Sequence, residues 1–160
     1  MVRVCFAFVL TGSGWAYGSL TVGEKVARLE SCSYLSDALA DFARAVLALL
    51  RGADQARCDW YDEPGGLRWR FTRQGERVHV SAIAFRINAY KEHPADEEGV
   101  IKDLGTCTLV ELATALHDGM RAVLGTWGIE GYRRKWHLYD FPLAEYEQLE
   151  ALLHDIPLEE

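Results

Sequence analysis

Five histidines, four cysteines and one pair of glycines are the residues of this 160-residue chain whose types could bind a metal, activate a nucleophile or cradle a phosphate. Zinc sites announce themselves by close ligand pairs, either Cys-x-x-Cys or two histidines three to five residues apart. Cys5, Cys32, Cys58 and Cys107 stand 27, 26 and 49 residues apart, and His79, His93, His117, His137 and His154 are more widely spaced than any ligand pair. Gly12-x-Gly14 lacks the third glycine and the following helix of a dinucleotide loop, and the chain has no Gly-x-Ser-x-Gly elbow. The expectation is a chain with no metal, no cofactor and no assigned catalytic residue. A site assembled in space is the remaining enzymatic reading, and His117, Asp118 and His137 are the groups that a hydrolase-type cleft would gather. Cys32 and Cys107 each precede an expected helix start, where the dipole lowers a thiol pKa. Burial opposes that effect, and all four cysteines are read as small buried hydrophobes.

Charge points elsewhere. Residues 1–80 carry ten Lys/Arg against nine Asp/Glu, and residues 81–160 carry seven against fifteen, so the net charge of −7 belongs to the second half. Residues 140–160 hold seven carboxylates and no Lys or Arg. Such a chain lacks the cations that neutralise phosphates, so nucleic acid is excluded as a partner. A basic protein partner fits better, met by Asp96-Glu97-Glu98 and by Glu145, Glu147 and Glu150 on the outside of the last helix. Tyr132-Arg133-Arg134-Lys135-Trp136 sets three cations between two aromatics, a composition found at binding hot spots. Arg133, Arg134 and Trp136 are therefore the candidate anchors. The plainer readings are acidity for solubility and a strand edge blunted by charge.

Elements must position these groups. Val2, Val4, Phe6, Phe8 and Leu10 alternate as one strand face, and the other face is also largely apolar, which predicts a central strand. Strands are predicted over Trp15–Val22 and Lys25–Cys32. A helix follows, N-capped by Ser33 and closed by Gly52, with Leu35, Ala38, Leu39, Phe42, Val46, Leu49 and Leu50 in one arc. Asp37, Asp41, Arg44 and Arg51 fall on its far side. A second helix opens on the capping box Thr108-Leu109-Val110-Glu111, with its apolar stripe ending at Gly128. The last helix begins near Pro142.

Turn arithmetic sets the register of the middle strands. A loop at Glu63–Gly66 pairs Trp60 with Trp69, and a turn at Gln74-Gly75 pairs Phe71 with Val78. Both turns bury the same face. Asp59 then lies opposite Arg70, and Arg70 opposite His79. The basic patch of Arg68, Arg70, Arg77 and His79 reads either as an anion surface or as a solvated sheet face. The third of these strands is allowed to run on to Tyr90. Lys91–Lys102 breaks the pattern as a long loop, of a length usually functional or disordered. A short strand is placed at Asp103–Cys107. Ser31-Cys32-Ser33 and Thr106-Cys107-Thr108 echo one another before their helices, which suggests strand-then-helix halves, 1–52 and 56–127, closed by a helix over 142–154.

Gly14-Trp15-Ala16, Ser33-Tyr34-Leu35-Ser36-Asp37-Ala38-Leu39, Trp60…Glu63-Pro64-Gly65…Arg68-Trp69, Gly131-Tyr132-Arg133 and Phe141-Pro142-Leu143 resemble segments of a group of small bacterial proteins of unknown function. The likeness covers most of the chain except residues 91–105. It implies a cytoplasmic bacterial protein and carries no activity with it. In size and acidity the chain also resembles bacterial toxin-immunity proteins. With 49% apolar and 26% charged residues the chain is an ordinary globular one, and no apolar run reaches the length of a membrane span. The expected fold is α+β, with antiparallel sheet in the order βββ-α-βββ(β)-α-α and helices on one face. The expected function is a non-enzymatic protein-binding module, an inhibitor or immunity protein. The alternatives are a hydrolase-type enzyme and a structural homodimer subunit.

Overall fold

The computed structural model describes residues 1–157, so Glu159 and Glu160, two of the seven C-terminal carboxylates, lie outside the described residues. Strands β1 (Val4–Gly12), β2 (Trp15–Val22) and β3 (Lys25–Ser33) form a three-stranded antiparallel sheet in that order. Helix α1 (Ala38–Leu50) follows. Strands β4 (Gln55–Tyr61), β5 (Gly66–Gln74), β6 (Arg77–Phe85) and β7 (Val100–Thr108) form a four-stranded antiparallel sheet, again in chain order. Helices α3 (Leu109–Trp136) and α4 (Leu143–His154) complete the fold, and a single turn of helix, α2 (Ala89–Glu92), lies between β6 and β7. The fold is α+β.

Each long helix packs against the sheet that it does not follow in sequence. Helix α1 leaves the three-stranded sheet and lies against β4, while α3 leaves the four-stranded sheet and lies against β1. Helix α4 packs against both α1 and α3. Contact between α3 and β1 is close: a methyl group on Gly119 would stand 2.7 Å from the Phe6 carbonyl oxygen. One core joins these layers, with Phe6 and Phe8 of β1, Phe42 of α1, Trp60, Trp69 and Phe71 of the second sheet, and Trp136 of α3. Trp60 stands at its centre, its ring 5.2 Å from Trp69 and 5.6 Å from Phe42, with its indole nitrogen donating to the Ala38 carbonyl at 3.0 Å.

Several expectations are corrected. The first strand is an edge, not central, and its outer residues Cys5 and Val9 are exposed. Ser33 ends β3 instead of capping α1; its hydroxyl accepts from the Leu35 amide at 3.2 Å, and the helix starts four residues later behind Asp37. Trp60 pairs with Leu67 and Cys58 with Trp69, while Phe71 pairs with Val80, so both hairpins are offset by two residues from the expected register. Trp60 and Trp69 are therefore diagonal neighbours on one face. Asp59 faces Arg68, and His79 faces Thr72. The third strand of the group stops at Phe85, and β7 is longer than expected, beginning at Val100. Gly128 does interrupt α3, at φ 66°, but the chain resumes as helix through Trp136 where a connection or edge strand is expected. The Thr108–Glu111 capping box forms as expected, with hydrogen bonds of 3.1 and 2.8 Å.

Candidate functional site: a groove between α1 and the edge strand β4

Helix α1 shows β4 a single stripe of residues, Asp41, Arg44, Ala45 and Ala48, spaced three, four and seven apart as neighbours on one helix face must be. Small side chains at Ala45, Ala48 and Ala56 keep helix and strand from filling the space between them. What remains is an open groove of about 560 Å³, lined on the strand side by Gln55 to Asp59 and by Tyr61.

Two ion-pair systems meet at this groove. On the helix side Arg44 reaches Glu145 of α4 at 3.2 Å and Asp41 at 3.4 Å. On the strand side Asp59 receives the Arg68 Nε at 2.7 Å. Arg68 also donates to Asp96 at 2.7 Å and to the Pro94 carbonyl at 2.9 Å, and Arg70 donates to the other Asp96 oxygen at 2.6 Å. The Arg68 side chain is only 5% exposed and lies over the Phe85 ring, 4.9 Å from its centroid. The Phe85 end of the outer sheet face is thus roofed by the segment from α2 to β7, which packs Ala89 on Ile83 and Phe85 as a second small core.

Burial raises the Asp41 carboxyl above the usual range; Arg44 opposes the shift and Asp59 adds to it. Cys58, on the groove floor, is pushed well up by burial and then by Asp41 and Asp59. The Arg68 hydrogen bond holds Asp96 below the usual carboxylate range. Burial also raises Cys32, and it raises Cys107 to about 11, so both thiols at the strand ends are inert.

Asp37, at the start of α1, is pushed from 3.8 to about 6, first by burial, then by Asp41 and Glu145, with Arg44 opposing. A carboxyl whose folded pKa is raised binds its proton more tightly in the folded state. The stability tied to that proton is fully present below the unfolded pKa and is lost as pH rises through about 6. Asp37→Asn should match the parent chain near pH 4 and exceed it near pH 7 by roughly 1 kcal/mol, discounted for partial exposure. Parallel melting curves for the two chains across that range would contradict this assignment.

The structure places the sequence-derived residues in separate settings. Asp96 and Glu145 belong to the two ion-pair systems at the groove. Glu97 and Glu98 are exposed on the roofing segment, with Glu98 accepting from the Ala95 amide at 2.6 Å. Glu147 and Glu150 are exposed on α4, and Glu150 approaches His117 at 3.7 Å. Arg133 and Arg134 are exposed on the last turns of α3, Arg133 paired with Asp140 at 2.9 Å. Trp136 is fully buried against Phe8 and offers no surface to a partner. His117 stacks on Tyr146 and His137 stands edge-on to Tyr34, so the two are not gathered in one cleft.

Asp41, Arg44, Arg57, Asp59 and Tyr61 were not singled out in the sequence as site residues. Their groove depends on which strand is the sheet edge and which helix lies beside it, and neither has a local sequence signature. On the outer face of the second sheet Asp103, His79 and Thr106 stand in a row, with His79 3.1 Å from Asp103 and 3.3 Å from Thr106. Among the described residues no group of three or more His, Cys, Asp or Glu has metal-binding geometry, and no helix is long and apolar enough to cross a membrane. Comparison of the chain with family models, curated proteins and solved structures returns no match.

Proposed function

We propose that this chain is a non-enzymatic protein-binding module, of the kind that inhibitor and immunity proteins represent, and that the α1–β4 groove is its recognition surface. The groove carries the reading: a hollow of about 560 Å³ between a helix stripe and a strand at the edge of its sheet, flanked by partly satisfied carboxylates. The Asp103–His79–Thr106 row has the order of an orienting acid, base and nucleophile. Its His and Asp side chains are 45% and 57% exposed on an open sheet face, where water screens the electrostatics that such chemistry needs. The groove is the better-built site.

Ala48 lines the groove and is only partly buried, so arginine at this position fills the hollow while its charged end reaches solvent. Parallel affinity capture from the source cell with the parent chain and with Ala48→Arg, quantified by mass spectrometry, tests the reading. The expected result is a partner retained by the parent and depleted at least about tenfold, near 1.4 kcal/mol, by the variant. Equal retention of every captured protein by two equally folded chains would overturn it.

A further inference from the structure

We propose that the hollow beside His79, on the outer face of the second sheet, binds a tetrahedral oxyanion of the sulfate or phosphate kind. Arg77 supplies the fixed charge, and protonation of His79 strengthens binding through the Thr106 hydroxyl. This is a function beyond protein binding, and the hollow shares no lining residue with the α1–β4 groove.

A bulge assembles the site. Asp103 and Thr106 are three residues apart, and a regular strand would turn them to opposite faces. The β6–β7 ladder pairs Asp103 with Ser81 and Gly105 with Val80, so Leu104 is an extra residue, and its side chain is buried in the core. Glycine at position 105 allows this at φ 96°. The bulge returns Thr106 to the outer face opposite His79 and aims Asp103 at the other side of the same ring. Asp103 Oδ1 stands 3.1 Å from His79 Nε2 and accepts from the Gly105 amide at 2.7 Å. Thr106 Oγ1 stands 3.3 Å from His79 Nδ1.

Charge selects the occupant. The hollow, about 340 Å³, is lined by Thr72, Gln74, Arg77, His79 and Thr106, and no carboxylate is among them. Arg68 and Arg70 of the same sheet face are bound to Asp59 and Asp96. Arg77 forms no ion pair among the described residues. It stands among hydroxyl, amide and imidazole groups, the donors that an oxyanion's several acceptor oxygens require.

His79 adds a switch. An ionised carboxylate only accepts hydrogen bonds, so Asp103 fixes a proton on Nε2. In the neutral ring Nδ1 is then an acceptor; it takes the Thr106 hydroxyl proton and leaves lone pairs facing the hollow. In the protonated ring Nδ1 donates to the Thr106 oxygen, and the hydroxyl proton turns to the ligand. The charged groups facing His79 are Asp103 from β7, Arg70 diagonally from β5 and Arg77 on its own strand, with Thr72 and Thr106 directly opposite.

NMR titration of the full chain with inorganic sulfate, a dianion throughout the histidine range, tests this at about pH 5 and about pH 8. Expected are saturable shifts at the hollow, with affinity at least about tenfold higher at the lower pH. Screening at this half-exposed site sets the dissociation constant in the millimolar range. By linkage, sulfate should move the His79 titration to higher pH. Arg77→Gln should weaken sulfate about tenfold at either pH, and His79→Gln should remove most of the pH dependence. Thr106→Val should lose much of that dependence while the His79 ring still titrates, and Thr106→Ser should restore it. Phenyl phosphate and inorganic phosphate, compared where both are dianions, distinguish the source. Tighter phenyl phosphate supports the end group of a larger molecule, and equal affinity supports a free anion. Absence of saturation, shifts at Arg133, Arg134 and Lys135 as large as those at the hollow, or affinity indifferent to Arg77→Gln would overturn the site. A pH dependence that survives His79→Gln, or that Thr106→Val leaves untouched, would overturn the switch.

Discussion

Trp60→Ala should lower the stability of the fold by about 3–5 kcal/mol, the range for removing a fully buried large aromatic side chain. For a chain of this size that is a fall in melting temperature of roughly 10 °C or more. The Trp60 ring is fully buried and touches the aromatic residues of three elements: Phe6 at 6.1 Å, Phe8 at 5.8 Å, Phe42 at 5.6 Å and Trp69 at 5.2 Å. Beneath it lies Gly18 of β2, where a methyl group would overlap the indole. Alanine at Trp60 therefore opens a cavity between the two sheets and removes the indole N–H that the Ala38 carbonyl accepts in addition to its bond within the helix. Trp60→Phe should cost less, since it keeps most of the packing and loses mainly that hydrogen bond. Urea titration of the three chains reads the order directly. An alanine variant within about 1 kcal/mol of the parent would show that Trp60 is not the joint between the sheets.

Arg68→Met should cost about 3 kcal/mol, the low end for breaking a buried ion pair, because Asp59 and Asp96 each keep 23% exposure and so some hydration. The loss should be local before it is global. Arg68 holds the Pro94 carbonyl and Asp96 down onto the sheet, so the segment between β6 and β7 should open first. Trypsin cleavage after Lys91 is the sensitive measure and should accelerate well before global unfolding. Arg70→Met is the contrast: its side chain is 44% exposed, and its loss should cost less than 1 kcal/mol. Adding Asp59→Asn and Asp96→Asn to Arg68→Met should recover part of the stability by removing the stranded charges. Unchanged cleavage at Lys91 in Arg68→Met would dismiss the arginine as the tie.

The sequence contained the faces of the strands but not their exact partners, and the reason lies in the turns. The second hairpin turns at Gly75-Glu76, with Gly75 at φ 61°, instead of at Gln74-Gly75. Two-residue hairpin turns demand positive φ at their first central position, so the glycine belongs there. Moving a turn by one residue changes every pairing by two, and a shift of two returns each side chain to the same face. The first hairpin, which loops at Asp62–Gly65 instead of Glu63–Gly66, shifts in the same way. Trp60, Trp69 and Phe71 consequently stay together in the core although no pair among them was placed opposite its true neighbour.

Arg68 shows the opposite case. Its alternation puts it on the outer face, where it sits, but the pattern of β5 by itself carries no sign that this face is roofed at one end. The sign was available in β6, where Ile83 and Phe85 occupy outer positions that a bare sheet face would give to polar residues. The groove left still less trace. Asp41 and Arg44 lie on the polar side of α1, as the helical period requires, and only the placement of β4 beside that side turns it into a wall.

The exchange of helices between the two sheets also orders events during synthesis. Helix α1 reaches β4 within a few residues of chain, so that pairing is local and early. Strand β1 waits far longer: its neighbourhood is tied to α3 by the Val2 amide on Glu111, across 109 residues, by the Gly14 amide on the Lys135 carbonyl, and by the Phe6 backbone against Gly119. Such distant closures slow folding, because the entropy of closing the long loop is lost before the contacts repay it. Strand β1 is made well before the helix that covers it, and until residue 135 or so has emerged, the sides of Phe6 and Phe8 that meet Gly119 and Trp136 remain open to chaperones or to the edge of another nascent copy.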